Sequence, residues 1–238
     1  MPEGEEVNYF THLNELRRRL IVVVLSIAGL TVVSFFASDF LLELITRPVK
    51  KSVASLYFLT PYEAFLMRLR VSVTSGIVLS VPIVLTQLWR FVVPGLYRSE
   101  RRAIFPIVLV SIVLFSLGVL FAHFLVIPFA LRFFLGFQTE TLQPLISIGA
   151  YVSFFLSLIL VFGAVFVTPV VLVGLMYLGV VDVDTLRRQR KTVIVLAFVL
   201  AAVITPTMDI VTQCLLALPL WGLFEISVLI GRGIKNKT

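Results

Sequence analysis

Charge is scarce in this chain. Asp, Glu, Lys and Arg make up only 14% of its 238 residues, against 59% apolar ones. With a mean hydropathy of +1.07, too little polar surface remains to cover a water-soluble sphere, so a soluble globular fold is excluded and lipid is the missing solvent. Cysteine is nearly absent. Cys214 stands alone, which rules out an internal disulfide and a cysteine-based metal cluster and leaves it as a small apolar filler. No phosphate-binding glycine loop, HExxH, GxSxG or nucleotide-binding pattern occurs, so the chain is expected to be no enzyme and to carry no cofactor or metal. Polar and apolar residues do not alternate within the apolar runs, which excludes a transmembrane barrel. Loop lengths and proline positions of the first half do not recur in the second, which argues against a carrier built from inverted repeats.

What is present is a series of long apolar runs punctuated by basic loops. A hydrocarbon core of about 30 Å takes about 20 helical residues to cross. Leu20 to Ser38 and Val71 to Trp89 are each 19 residues without a charge, Ala103 to Leu131 has only His123, and Thr141 to Val181 has neither charge nor histidine. The reading is an all-α integral membrane protein forming one domain over 1–238, with six spans at about 20–38, 70–90, 104–127, 151–177, 192–206 and 210–230. A turn is expected at Pro128 and a tight hairpin at Pro206 to Asp209. Thr192 to Thr205 is only 14 residues, about 21 Å of helix, so spans five and six are expected to be short and to thin the bilayer locally. The first run is too long for a cleavable signal peptide and lacks a small-residue cleavage pattern, so it is expected to remain as an anchor.

Basic residues set the orientation. With both termini on one side, that side gathers 14 Lys and Arg, from Arg17, Arg18 and Arg19 to Lys237, whereas the other has six. Both termini are therefore expected in the cytoplasm. This asymmetry accounts for the net charge of +7, and no nucleic-acid partner is expected.

Candidate chemistry lies in a few polar clusters. In HLNELRRRL, His12 to Leu20, Glu15 and Arg19 are four apart on one helical face, beside an apolar stripe of Leu13, Leu16 and Leu20; by itself this reads first as an interfacial amphipathic turn entering span one. In QLWRFVVPGLYRSERR, Gln87 to Arg102, Trp89, Phe91 and Tyr97 suit an interface, Pro94-Gly95 forces a break, and Glu100 sits among Arg98, Arg101 and Arg102. His123 fits interfacial packing better than proton relay.

These clusters, taken in order, resemble the TatC family, the signal-peptide receptor subunit of the twin-arginine (Sec-independent) protein translocase. HLNELRRRL is similar to the family's HLxELRxRL opening, Pro48 falls in its first outer loop, and TPYEAF, with Glu63, is similar to its PxEaF element. QLWRFVVPGLYRSERR is similar to the signature after span two, ITPTMDIVTQ, with Asp209 and Gln213, to the turn between spans five and six, and LFEIS, with Glu225, to the glutamate of span six. The resemblance implies a protein of the cytoplasmic membrane that binds folded precursors through twin-arginine signal peptides, at Glu15 and Glu100, with Arg17, Arg19, Phe91 and Leu96 about the same site. It also implies export driven by the proton-motive force, single-span partners of the TatA and TatB type, and self-association. Pro48, Glu63, Asp209, Gln213 and Glu225 are further functional candidates. The chain departs from the family at FGAVFVTP, where Val167 stands in place of the usual span-four glutamate; Thr168 or Glu225 is left to supply polar character. The alternative is a secondary transporter of a small solute, which does not account for two cytoplasmic carboxylate motifs.

Overall fold

The computed structural model describes residues 3–50, 56–92, 104–139, 144–177, 180–204 and 210–235. It is helical almost throughout: α1 (Glu3–Phe36), α2 (Ser38–Lys50), α3 (Glu63–Val92), α4 (Ile104–Phe121), α5 (Ile127–Leu135), α6 (Ile148–Tyr177), α7 (Val183–Arg188), α8 (Arg190–Ile204) and α9 (Ile210–Lys235). The runs are rich in Val, Ile and Phe, which favour strands in water. In lipid each backbone N–H and C=O must pair within its own segment, and that requirement overrides propensity. Among the described residues five stretches are long and apolar enough to cross a membrane: Leu13–Phe36, Glu63–Phe91, Phe105–Leu135, Ile148–Tyr177 and Ile210–Gly233. The expected fifth span is α8, whose 15 residues reach about 22 Å.

Two expectations need correction. Span six is not short, because α9 runs 26 residues, about 39 Å; the charge of Glu225, which ends the apolar run in the sequence, is met by Arg190 and so does not end the helix. No turn forms at Pro128. The chain instead widens into a π-helical turn over Ala122–Val126 and continues as α5 with Pro128 in its first turn, where a missing N–H costs nothing. Pro48 lies in the connection between the first two spans, and that connection is partly helical: Pro48 sits inside α2, a 13-residue helix that buries Ile45, Thr46 and Val49.

The chain divides into two compact units. The first comprises residues 1–42 and 68–112. Its helices approach closely: a Cβ added at Gly76 of α3 would lie 2.8 Å from Thr31 Cα of α1, so only glycine fits there. Val71, Val81, Leu85 and Trp89 form the buried stripe of α3, and Trp89 donates its indole N–H to Ser111 Oγ of α4 at 3.2 Å.

The second unit comprises residues 43–67 and 113–238. It is built on α6, which buries Val152, Phe155, Ile159 and Phe162 and packs against α9, as α8 does in turn. Phe121 lies against Phe162 and Phe166, with ring centroids 5.6 and 5.3 Å apart. At the start of α6, residues 56–58 pair in parallel with residues 146–148: Tyr57 N–H donates to Ile146 O at 3.1 Å, and Ile148 N–H to Tyr57 O at 3.0 Å.

Candidate functional site

The first cluster forms where α1 passes the end of α3. Helical spacing places Glu15 and Arg19 one turn apart on the same face, and they form an ion pair between Glu15 Oε1 and Arg19 Nη2. Arg19 is held from α3 as well. Its Nη1 donates to the Gln87 carbonyl at 3.2 Å, and its guanidinium lies 6.0 Å from the centroid of the Phe91 ring, within cation–π range. Arg19 is thereby fixed and largely covered, with 17% of its side chain exposed, while Glu15 keeps 38% exposed. The arrangement presents a carboxylate beside an aromatic ring with a fixed cation behind it. A second guanidinium arriving from outside finds Glu15 Oε2, which has no partner among the described residues, and the geometry suits a charge-assisted bond.

Three of the residues singled out from the sequence, Glu15, Arg19 and Phe91, thus meet at one place. Arg17 does not join them. It points to the other face of α1, where with Leu13, Leu16, Leu20, Ile21, Val24 and Leu25 it lines an open apolar groove of about 600 Å³. Glu100, Leu96 and Asp209 lie outside the described residues. The Gln87 carbonyl was missed, because a backbone acceptor leaves no mark in the sequence.

A second carboxylate, Glu63, is treated differently. It opens α3 and folds back onto its own helix start, accepting the N–H of Leu59 at 2.6 Å and of Thr60 at 3.3 Å on Oε2. Its Oε1 accepts the Gly149 N–H at 2.8 Å and the Ser147 hydroxyl, both at the start of α6. Gly149 is required here, since a Cβ would lie 3.0 Å from Glu63 Cγ and 3.1 Å from its Cδ. Nearby, Tyr151 donates its hydroxyl to the Ile45 carbonyl of α2 at 2.8 Å. Ser147 and Gly149 were not legible as partners of Glu63, being more than 80 residues away in a polar loop.

The remaining candidates are dispersed. Glu225 of α9 accepts from Arg190 Nη2 at 2.6 Å, beside an apolar cluster of Val183, Leu186, Phe224 and Val228. Gln213 and Thr168 are half-buried. Val167 is buried at 7% exposure, so the position where the family's glutamate was expected faces protein and not an open groove. Pro48 is half-buried on α2. Among the described residues no His, Cys, Asp or Glu cluster has metal-binding geometry.

Comparison with known proteins bears on the whole chain. Residues 11–219 match the model of the family described as Sec-independent protein translocase protein (TatC). The chain is 37% identical over 235 residues to the Sec-independent protein translocase protein TatC of Carboxydothermus hydrogenoformans, covering 99% of this chain and 97% of that protein. It is 40% identical over 230 residues to the protein of the same name from Aquifex aeolicus, covering 95% of each. A crystal structure of a twin arginine translocase receptor, TatC, superposes with a TM-score of 0.86 at 40% identity, over 93% of this chain and 98% of that one.

Proposed function

This chain belongs to the TatC family of Sec-independent protein translocase proteins, and from that premise we propose that the α1–α3 corner holding Glu15 is where it receives the paired arginines of an export signal peptide. It is a multi-pass cell-membrane protein and a core component of the twin-arginine translocase. The solute-carrier alternative falls with that membership. We read the chain as a binding and transport module, not an enzyme.

The observation that carries the reading is the way Arg19 is immobilised by Gln87 O and Phe91, so that Glu15 is presented without being saturated. A guanidinium is a planar fork that a carboxylate accepts on two oxygens, which an ammonium cannot reproduce. One peptide arginine bonds Glu15; the second takes Glu100, in the basic loop that follows α3. Phe91 borders the same place, the family resemblance adds Leu96 to it, and Arg17 lies within one turn of Glu15 on α1. The 14-to-six charge asymmetry puts this corner, and both termini, in the cytoplasm, where unexported precursors are met. Single-span partners of the TatA and TatB type dock along apolar helix faces; the groove between α8 and α9, lined by Ile194, Ala197, Phe198, Ala217, Leu218 and Trp221, suits one. Gln213 lies in the first turns of α9, and Asp209 immediately precedes that helix in the sequence. Self-association of the receptor and the proton-motive force complete the proposed export cycle.

The experiment is photo-crosslinking of a twin-arginine signal peptide to the full-length protein in membranes. Glu15→Gln keeps volume and loses the anion; with a charge-assisted bond worth about 1.5 to 3 kcal/mol, binding should weaken roughly tenfold to hundredfold. Unchanged crosslinking in both Glu15→Gln and Glu100→Gln would overturn the assignment.

A further inference from the structure

A polar cavity lies far along the chain from Glu15. At the junction of α7 and α8, Asp184, Arg187, Arg188 and Arg190 line an open cavity of about 360 Å³. Three guanidiniums face one carboxylate. Asp184 lies 3.9 Å from Arg187, too far for a strong hydrogen bond, and Arg190 spends one nitrogen on Glu225. Arg188 has no carboxylate partner among the described residues, and Arg190 Nε is buried with no acceptor there either. A buried guanidinium N–H without an acceptor is a costly arrangement, and the surplus of positive charge fits an anion with several oxygens. The first N–H groups of α8, a 15-residue helix beginning at Arg190, add partial positive charge at the same spot.

We propose that this cavity binds the headgroup of an anionic phospholipid of the inner leaflet. The orientation rests on the cytoplasmic reading given above, which places the α7–α8 junction at the inner membrane surface. Two observations favour a lipid over a free phosphate. The volume corresponds to roughly twelve waters at about 30 Å³ each, more than a bare phosphate requires and enough for a phosphodiester with a small alcohol. From this cavity α8 runs on with Val195, Leu196, Val199, Leu200 and Val203 exposed, an apolar surface on which acyl chains lie. That surface is a different face of α8 from the one carrying Ile194, Ala197 and Phe198, so a lipid here and a partner helix in the α8–α9 groove do not exclude each other. Because α8 spans only about 22 Å, a headgroup held at its start also fixes where the inner surface of a thinned bilayer sits.

The test is native mass spectrometry of the full-length protein in detergent micelles supplemented with phosphatidylglycerol, phosphatidylcholine or inorganic phosphate. The wild type should retain phosphatidylglycerol in preference to phosphatidylcholine, and Arg187→Gln with Arg188→Gln should weaken that retention roughly tenfold or more, each interfacial arginine contributing several-fold. Arg190 is left intact because it holds Glu225. Arg90→Gln, at an exposed position of α3, should leave retention unchanged, and an unchanged thermal midpoint of the double variant in phosphatidylcholine verifies folding. Equal retention of the two lipids sinks the proposal, as does a preference that survives the double variant or falls equally in Arg90→Gln. If inorganic phosphate alone occupies the site and displaces phosphatidylglycerol, the ligand is a free anion and the lipid assignment is wrong. None of these outcomes depends on signal-peptide crosslinking at Glu15.

Discussion

Glu63 and Glu15 are the same side chain put to opposite uses. Glu63 takes four donors from its own chain, three of them backbone N–H groups fixed by the folding of the 59–60 turn and the start of α6. Among the described residues Glu15 takes one donor, a side chain on its own helix. A carboxylate whose donors are part of the backbone cannot exchange them without undoing local structure. One held by a single arginine exchanges partners at the cost of a partly exposed ion pair, which is small. The number and kind of donors therefore separates an acid that holds the fold from one that recognises a ligand, where the motifs alone place both among functional candidates. Glu225, paired with Arg190 across two helices and with 23% of its side chain exposed, falls between them.

The extreme of that scale is an acid with no donors. Val167 of α6 is buried, so Val167→Glu would place a carboxylate in the protein interior of a membrane-spanning helix, where the described residues show no donor to it. An acid at the centre of a transmembrane helix costs about 2.5 to 3.5 kcal/mol, and the variant is expected to insert poorly or to lose that much stability. Insertion and thermal unfolding in micelles measure it. A stable, fully inserted variant would show that donors or water reach the position, and would weaken the link between donor number and role.

Next in size is the Glu63 lattice. Gly149→Ala pushes a methyl to within 3.0 Å of Glu63 Cγ, against a side chain whose carboxylate is held by four donors, and should destabilise by about 1 to 3 kcal/mol. Glu63→Gln should likewise lower the thermal midpoint, because its amide nitrogen would face donors in place of an acceptor. Both variants should keep whatever signal-peptide binding survives at the stability they retain. A drop in peptide crosslinking without loss of stability would place Glu63 with Glu15 and collapse the distinction.

How much of this was legible follows from which interactions are local. Apolar runs gave the five long helices, because lipid forces an uninterrupted apolar segment to be helical, and the four-residue spacing of Glu15 and Arg19 gave their pairing. Interactions between distant segments were not legible. Nothing near Glu225 in the sequence announces Arg190, so the apolar run looked finished where α9 continues. Pro128 was read as a turn because proline removes a donor, and no helix was read around Pro48 in the first outer connection; at the start of α5 and inside α2 the surrounding helix absorbs the loss. The amphipathic spacing of Leu41, Ile45 and Val49 was available as a signal for α2 and lay hidden by the proline. Thr168 and Gln213 remain candidates by resemblance, half-buried and away from the Glu15 cluster.

Arg19 tests the comparison at smaller scale. Arg19→Lys keeps a positive charge near Glu15 but cannot reach both Glu15 and the Gln87 carbonyl as a fork does. With one hydrogen bond lost at about 0.5 to 1.5 kcal/mol, peptide crosslinking should fall about threefold to tenfold, less than in Glu15→Gln. If Arg19→Lys binds as the wild type does, Arg19 does not position Glu15, and its hold on Phe91 and Gln87 is only packing.

The smallest expected effect is the most discriminating. Glu15→Gln, which removes the anion proposed to bind the peptide, should change thermal stability by no more than about 0.5 kcal/mol, because an i,i+4 pair on a partly exposed helix contributes only about 0.3 to 0.5. A cycle of Glu15→Gln, Arg19→Gln and the double variant measures their coupling directly, since each replacement keeps length and removes charge. Coupling within that range, together with strong loss of crosslinking in Glu15→Gln, is what an exchangeable carboxylate requires. Coupling above about 2 kcal/mol would mean that Arg19 holds Glu15 as firmly as a buried pair, the range at which breaking one partner becomes costly. A peptide arginine would then have to displace a structural bond, and Glu15 would belong with Glu63 as an acid that holds the fold.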